Sequence, residues 1–201
     1  MKTYRALAAL LSYPDQALLD SLPELEALLP AQASPLLREL AAQDLLASQE
    51  RYVALFDRSR ALSLHLFEHV HGESRDRGQA MVDLQALYEQ RGMRLVDNEL
   101  PDYLPAFLEF LSLLPQEESR PLLGETAGIL RALGERLAER ASAYSGVLAA
   151  LLELAGEPGL RKVAASSCAE NAEQLDREWM DPQVTFGGPQ PVRFHRKAVA
   201  A

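Results

Sequence analysis

This 201-residue sequence has a single cysteine, Cys168, and no apolar run that approaches the length of a membrane span. One cysteine cannot form an internal disulfide bond, which excludes a disulfide framework and is typical of proteins that fold in a reducing cytosol. A bilayer-spanning helix needs about 20 consecutive apolar residues, so we expect no stable membrane insertion. The apolar run from Ala6 to Leu11 is too short for a signal peptide. These absences predict a cytoplasmic protein.

Strand-forming residues and basic charge are also scarce. The β-branched residues never form a run, whereas leucine and alanine dominate, and this composition favours helix throughout. The formal net charge is −9, from 20 basic and 29 acidic residues. An acidic surface repels phosphate backbones, so nucleic acid is not an expected partner, whereas a basic peptide is a suitable one. No G-x-G-x-x-G loop, P-loop or G-x-S-x-G elbow indicates a nucleotide site or an activated nucleophile.

Helical periodicity over residues 1–156 predicts one all-α domain. Apolar residues recur at helical spacing from Ser34 to Asp57, where the serine is a predicted N-cap, and again from Leu122 to Arg140. Residues 157–201 are rich in proline and glycine and poor in apolar residues, which predicts a flexible C-terminal tail without its own core. Residues 179–186, which include the only tryptophan, are a possible docking segment within that tail.

Three of the four histidines lie within seven residues of a mixed stretch that runs from Asp57 to Gly78. His65, Glu68 and His69 match H-x-x-E-H, in which two histidines on one helix face can bind zinc and the glutamate can act as a general base. A zinc hydrolase is therefore one hypothesis. The other is that both histidines are hydrogen-bonded to neighbours such as Asp57 or Glu68. We favour the second, because the sequence marks no third zinc ligand.

The same stretch interleaves charged residues of both signs with apolar ones. Its arginines, at positions 58, 60, 75 and 77, alternate with carboxylates and could form an intramolecular ion network or simply a solvated turn. They could also form the rim of a peptide groove whose floor is Leu62, Leu66 and Phe67. Helix-in-groove recognition uses such an apolar floor with charged edges. The residue pattern leaves these alternatives open and favours the solvated turn.

Several segments carry a resemblance to a known family. The block from Ala61 to Leu84 resembles the signature of the NarJ family, the assembly chaperones of respiratory nitrate reductase, and residues 99–112 resemble its second block. Tyr52–Phe56 is similar to the aromatic-x-x-Leu-Phe motif of the wider group of TorD-like redox-enzyme maturation chaperones. Glu99–Asp102 is similar to the hinge motif of that group, with one proline where others have two. Trp179 and the segment from Pro182 to Phe186 resemble the C-terminal end of the family.

The resemblance implies an all-α, single-domain helical bundle of the TorD-like chaperone type, with no catalysis and no stably bound cofactor. Such proteins bind the N-terminal segment of the catalytic α subunit of nitrate reductase, and keep it competent for insertion of the molybdenum cofactor before membrane attachment. A chaperone for another molybdoenzyme is the alternative. The resemblance assigns client binding, by position, to residues of both blocks: Leu62, His65, Leu66, Phe67, His69, His71, Glu99, Pro101, Asp102 and Tyr103. The family does not need zinc.

Overall fold

The computed structural model describes residues 2–72, 74–95 and 99–161, and these residues form ten α-helices and two short 3-10 turns. The helices are α1 (Lys2–Leu11), α2 (Gln16–Glu26), α3 (Ser34–Ala42), α4 (Leu45–Phe56), α5 (Leu66–Val70), α6 (Asp76–Gln90), α7 (Leu104–Leu113), α8 (Gln116–Glu125), α9 (Ala127–Glu139) and α10 (Tyr144–Ala155). The 3-10 turns are Ala31–Ala33 and Arg60–Leu62. Within this described part of the chain no β-strand is present, and one isolated antiparallel bridge joins His65 to Tyr103. The predicted all-α class is confirmed.

Helix α7 lies at the centre of the bundle and is buried on almost every side. Its sequence is apolar except for the exposed Glu109 and the half-buried Ser112, so most of its circumference packs inside the bundle. Helix α1 packs along α7 through the apolar stripe that includes Tyr4, Leu7 and Leu11. Helix α10 packs mainly against α9, and also against α8 and α3. The segment that precedes α7 therefore enters the core directly.

Two long helices expected from periodicity are each divided. The predicted helix from Ser34 to Asp57 breaks at Asp44, which adopts an extended backbone and accepts a hydrogen bond on Oδ1 from the Ala47 amide at 2.8 Å. Asp44 is thus the N-cap of α4. Ser34 is itself helical and makes no side-chain cap. The stretch from Leu122 to Arg140 likewise breaks at Thr126, between α8 and α9. In both cases the apolar period of the sequence continues across the break between the two helices.

Helix α10 ends where the sequence predicts, before Gly156. This glycine has a φ of 81°, and the amide of Glu157 bonds to the Leu152 carbonyl at 2.9 Å, which is the bonding pattern of a Schellman C-cap. The chain then lies against α9, where Arg131 Nη2 donates to the Pro158 carbonyl oxygen at 3.1 Å. The predicted docking segment at residues 179–186, and the tail from residue 162 onward, lie outside the described residues.

Among the helices in the described ranges, none combines the length and the apolar character needed to cross a bilayer.

Candidate functional site at the junction of two sequence blocks

The two sequence blocks meet at the bridge between His65 and Tyr103. The Leu66 amide donates to the Asp102 carbonyl at 2.9 Å, and the Leu104 amide donates to the Leu64 carbonyl at 2.8 Å. In this antiparallel pattern the two opposed residues present their side chains on the same face. The His65 and Tyr103 rings accordingly lie with centroids 5.4 Å apart. We call residues 63–67 and 99–104 the junction.

The Asp102 carboxylate is the buried centre of the junction, with no exposed surface. Its Oδ2 accepts a hydrogen bond from the Phe67 amide at 3.1 Å, and its Oδ1 lies 3.1 Å from Nδ1 of His65. An ionised carboxylate can accept hydrogen bonds but cannot donate them. The nitrogen of His65 that faces Asp102 is therefore assigned as N–H. The Phe67 amide is one of the unsatisfied donors of the first turn of α5, and Asp102 satisfies it from 35 residues away. Asp102 therefore connects the segment from Glu99 to Asp102 to the start of α5.

Arg77 adds a positive charge to this centre from α6. Its Nη2 lies 3.2 Å from Glu68 Oε1 and 3.8 Å from Asp102 Oδ2, and its side chain is largely buried. A buried carboxylate is stable only when it is paired or hydrogen-bonded, and Arg77 supplies charge compensation for Asp102. The ion network that the sequence suggested within residues 57–78 thus has a member outside that stretch. It links α5, α6 and the residues before α7.

The histidines of the H-x-x-E-H pattern face protein acceptors. His65 precedes α5 with an extended backbone, so it and His69 do not form the helical i, i+4 pair that a zinc site of this type requires. His69 Nε2 lies 2.8 Å from the Ser63 carbonyl oxygen, which can only accept. Across the described ranges, no group of three or more histidine, cysteine or carboxylate side chains could hold a metal ion. The hydrogen-bond partners predicted for these histidines, such as Asp57 or Glu68, were wrong. His65 faces Asp102, and His69 faces the Ser63 carbonyl.

Burial determines the protonation behaviour of His69. Loss of solvent around the ring lowers the pKa of His69 below its ordinary value, and the nearby charge of Arg136 lowers it further. The hydrogen bond to Ser63 and the charge of Glu68 act in the opposite direction but do not prevail. His71 follows α5, is half-buried and packs edge-on against Phe67, with ring centroids 5.6 Å apart.

The three apolar residues expected to form a groove floor lie in the core. Leu62, Leu66 and Phe67 are each less than 5% exposed. A cavity of about 20 Å³ remains beside them, lined by Leu66, Phe67, Val70, His71, Leu84, Phe107, Glu125, Thr126 and Ile129. A space of this size accepts about one water molecule and not a peptide helix. Leu62, Leu66 and Phe67 therefore belong to the buried side of the junction and do not form its surface.

Two buried tyrosine hydroxyl groups form hydrogen bonds with Pro101 and Tyr103, just before α7. The Tyr88 hydroxyl of α6 donates to the Pro101 carbonyl at 2.8 Å. The Tyr52 hydroxyl of α4 donates to the Leu11 carbonyl at 2.9 Å and lies 3.0 Å from the Tyr103 hydroxyl. Because the proton of Tyr52 is directed to a carbonyl, Tyr103 is the donor to Tyr52. Burial raises the pKa of Tyr52, Tyr88 and Tyr103, so all three remain protonated.

Sequence reasoning did not assign Tyr52 or Tyr88 to the site. Tyr52 opens the aromatic-x-x-Leu-Phe motif, but that motif carries no information about which loop its hydroxyl group reaches. The surface of the junction consists of the exposed Glu99 and Leu100 together with the half-buried His65 and Tyr103. Pro101 and Asp102 are buried between them. The structure thus divides the predicted site residues into a buried support and an accessible face.

The sequence was compared with known families and proteins. The sequence profile of the family described as nitrate reductase delta subunit matches residues 14–150. The nitrate reductase molybdenum cofactor assembly chaperone NarJ of Escherichia coli strain K12 is 44% identical over 195 residues, which cover 90% of this chain and 83% of that protein. A protein of Bacillus subtilis strain 168 that is assigned the same name is 33% identical over 168 residues, covering 80% of this chain and 91% of the relative.

A solved structure shares the fold. It is the crystal structure of a protein from Archaeoglobus fulgidus that is assigned as a redox enzyme maturation protein. The two superpose with a TM-score of 0.54, covering 77% of this chain and 92% of the other, at 23% sequence identity. This likeness shows the helical fold, and the sequence relatives carry the family relationship.

Proposed function

This chain belongs to the nitrate reductase delta subunit family, and from that premise we propose that it is an assembly chaperone for a respiratory nitrate reductase. The relatives from Escherichia coli and Bacillus subtilis described above are named as assembly chaperones, in agreement with the expectation of a protein without catalytic activity. In this proposal the chain acts in the cytoplasm on the catalytic α subunit before that subunit reaches the membrane. The molybdenum cofactor is the cargo of the client subunit and is not a resident group of the chaperone.

The client segment in this proposal is the N-terminal segment of the catalytic subunit, and the junction is its binding site. The observation that carries the proposal is the meeting of the two family-like blocks at Asp102, whose side chain is fully buried although it is polar. A buried carboxylate is costly unless a network satisfies it, and this network holds His65 and Tyr103 side by side at the surface. The junction is therefore a preorganised surface.

The predicted site residues take two different roles in this proposal. Those that are accessible contact the client directly: His65, His71, Glu99 and Tyr103, together with the exposed Leu100. Those that are buried hold the surface in place: Leu62, Leu66, Phe67, Pro101 and Asp102. His69 belongs to the second group, because its Nε2 atom lies 2.8 Å from the Ser63 carbonyl oxygen.

The test is isothermal titration calorimetry of the folded protein with a synthetic peptide from the N-terminus of the cognate catalytic subunit. We expect saturable binding, and no binding of the same peptide in scrambled order. Leu100→Ser should weaken binding by at least about fivefold, because an exposed apolar contact is lost from the surface. Leu113→Ser is the matched control, because Leu113 is 59% exposed at the opposite end of α7.

The outcomes separate the function from the site. A folded protein that gives no heat with the cognate peptide would contradict the proposed function. Equal losses in the Leu100→Ser and Leu113→Ser variants would contradict the assignment of the junction while leaving the function intact. A peptide from a different molybdoenzyme that binds more tightly than the nitrate reductase peptide would identify another client.

A further inference from the structure

The chain after α10 turns back and lies along α9, and we call residues 157–161 the strap. At the start of the strap Arg131 of α9 forms an ion pair with Glu157, in which Nη2 and Oε2 are 3.3 Å apart. Leu160 then packs on Gly134, about one turn further along α9, where an added Cβ atom would clash with the Leu160 side chain. The strap therefore runs toward the C-terminal end of α9.

The strap ends at the level where α9 contacts the turn that precedes the junction. Arg161 Nε, at the end of the strap, lies 3.7 Å from Glu135 Oε1. The next residue of α9, Arg136, donates from Nη1 to the Ala61 carbonyl oxygen at 2.6 Å. Ala61 stands two positions before Ser63, where the junction begins. The path through these residues is at most about 35 Å long, so the described chain ends within that distance of the junction.

Residues 179–186, the docking segment predicted from the sequence, are close enough along the chain to reach the junction. The intervening residues 162–178 can span about 55 Å when extended, and a random coil of that length spans about 20–25 Å on average. The segment contains the only tryptophan, Trp179, together with Phe186, and its only charged residue is Asp181. Burial of apolar area would therefore dominate its binding to a surface.

The accessible face of the junction suits such a segment. Leu100 is 44% exposed there, and the half-buried rings of His65 and Tyr103 pack side by side. Tryptophan and phenylalanine bury a large apolar area against a face of this kind. A tethered segment acts at an effective concentration on the order of 1 mM, well above the concentration of a second copy of the chain in dilute solution. The segment of the same molecule is therefore the favoured occupant.

We propose that residues 179–186 bind the accessible face of the junction in the same molecule and compete there with the client segment. This inference rests on the proposed function, because it concerns the same surface, although the docking itself needs no client. The client binds only those molecules whose junction is free, so its apparent affinity is lower than its affinity for the open junction. The strap contributes by fixing the point from which the tail leaves the bundle.

The docking is tested by the fluorescence of Trp179 in the full-length protein, because this residue is the only tryptophan. Quenching by acrylamide is measured for the unmodified protein, for Leu100→Ser and for the control Leu113→Ser. The measurement is repeated with the cognate client peptide, in which any tryptophan is replaced by leucine. We expect quenching to increase about twofold or more in Leu100→Ser and on addition of the peptide, and to stay unchanged in Leu113→Ser.

The competition is tested by calorimetry with the same peptide. Trp179→Ser should bind the peptide about threefold to tenfold more tightly than the unmodified protein does. Val199→Ser, a substitution in the tail but outside the segment, is the matched control and should leave the affinity unchanged. Because Leu100 contacts both occupants in this proposal, Leu100→Ser should weaken peptide binding more in the Trp179→Ser background than it does alone.

Equal quenching of Trp179 in all of these samples, or an unchanged peptide affinity in Trp179→Ser, would overturn this inference and leave the proposed function intact. Protection of Trp179 that increases with protein concentration would overturn it in favour of contact with a second copy. If the peptide bound neither the unmodified protein nor Trp179→Ser, the proposed function would be contradicted. Protection of Trp179 that is lost in Leu100→Ser would still support the docking in that case.

Discussion

The Oδ2 atom of Asp102 lies 3.1 Å from the backbone nitrogen of Phe67, 35 residues earlier in the chain. This hydrogen bond places the side chain of Asp102, from the segment before α7, at the first turn of α5. As a result, the two sequence blocks behave as one structural unit, and a change in either alters the position of the other. Because both Asp102 and Phe67 are buried, substitutions at these two positions test the fold as well as client binding.

Replacement of Asp102 should destabilise the protein in a graded manner. In Asp102→Ala the Phe67 amide and His65 lose their acceptor and Arg77 loses a charge partner, so we expect the free energy of unfolding to fall by about 2–4 kcal/mol. Asp102→Asn retains one acceptor oxygen, and a loss of about 1–2 kcal/mol is expected. Urea denaturation measures both values. An alanine variant as stable as the unmodified protein would show that the carboxylate does not hold the junction together.

The pair of tyrosine hydroxyl groups at positions 52 and 103 should show energetic coupling. Tyr52→Phe leaves both the Leu11 carbonyl and the Tyr103 hydroxyl without a partner, so it should cost about 1–2 kcal/mol. Tyr103→Phe removes one bond and should cost about 0.5–1 kcal/mol. Because either change removes the shared bond, the double variant should lose less than the sum. Strict additivity in denaturation experiments would contradict the bond.

The depressed pKa of His69 predicts that stability declines in mild acid. The folded state holds this ring neutral at pH values where the unfolded chain, with an ordinary pKa of 6.5, already binds a proton. Stability is therefore full above pH 6.5, and it falls by up to about 1.4 kcal/mol per pH unit below it until the folded-state pKa is reached. The charges that act on the ring are Arg136 of α9, Glu68 of α5 and Arg60.

The variant His69→Gln isolates this contribution, because its amide can still donate to the Ser63 carbonyl and does not titrate. The difference in unfolding free energy between the unmodified protein and the variant should become smaller as pH falls from 7.5 to 5.5. Urea denaturation across that range provides the measurement, and the other histidines cancel in the difference. A difference that stays constant with pH would show that the pKa of His69 is not depressed.

Two helical glycines should respond to alanine in opposite ways. A Cβ atom at Gly146, in the first turn of α10, would clash with the backbone oxygen of Gln32. Gly146→Ala must therefore separate α10 from the Ala31–Ala33 turn, at a cost of about 1–3 kcal/mol. At Gly128, near the start of α9, a Cβ atom meets nothing within 4 Å. Gly128→Ala should leave thermal stability unchanged or raise it by up to about 1 kcal/mol, and a comparable loss at both sites would exclude this explanation.

Much of the fold could be predicted because it depends on local and compositional signals. Leucine and alanine at helical spacing, without runs of β-branched residues, predict an all-α chain. This prediction does not depend on how the helices pack. Gly156 could be identified as the end of α10 because a left-handed C-cap has its own residue preference. The break at Asp44 was missed because the apolar period of α3 and α4 continues across it, and a capping aspartate resembles any surface aspartate.

The residues of Ala61–Leu84 and 99–112 were sufficient by themselves to indicate a family and to assign a set of site residues. They did not determine which of those residues are buried or what they contact. His65 bonds to Asp102 rather than to a neighbour in sequence, and Tyr103 bonds to Tyr52 across 51 residues. Only the packing of α1, α4, α6 and α7 brings these groups together. Local patterns reach about one helical turn, whereas the accessible face of the junction and its buried support depend on contacts between distant parts of the chain.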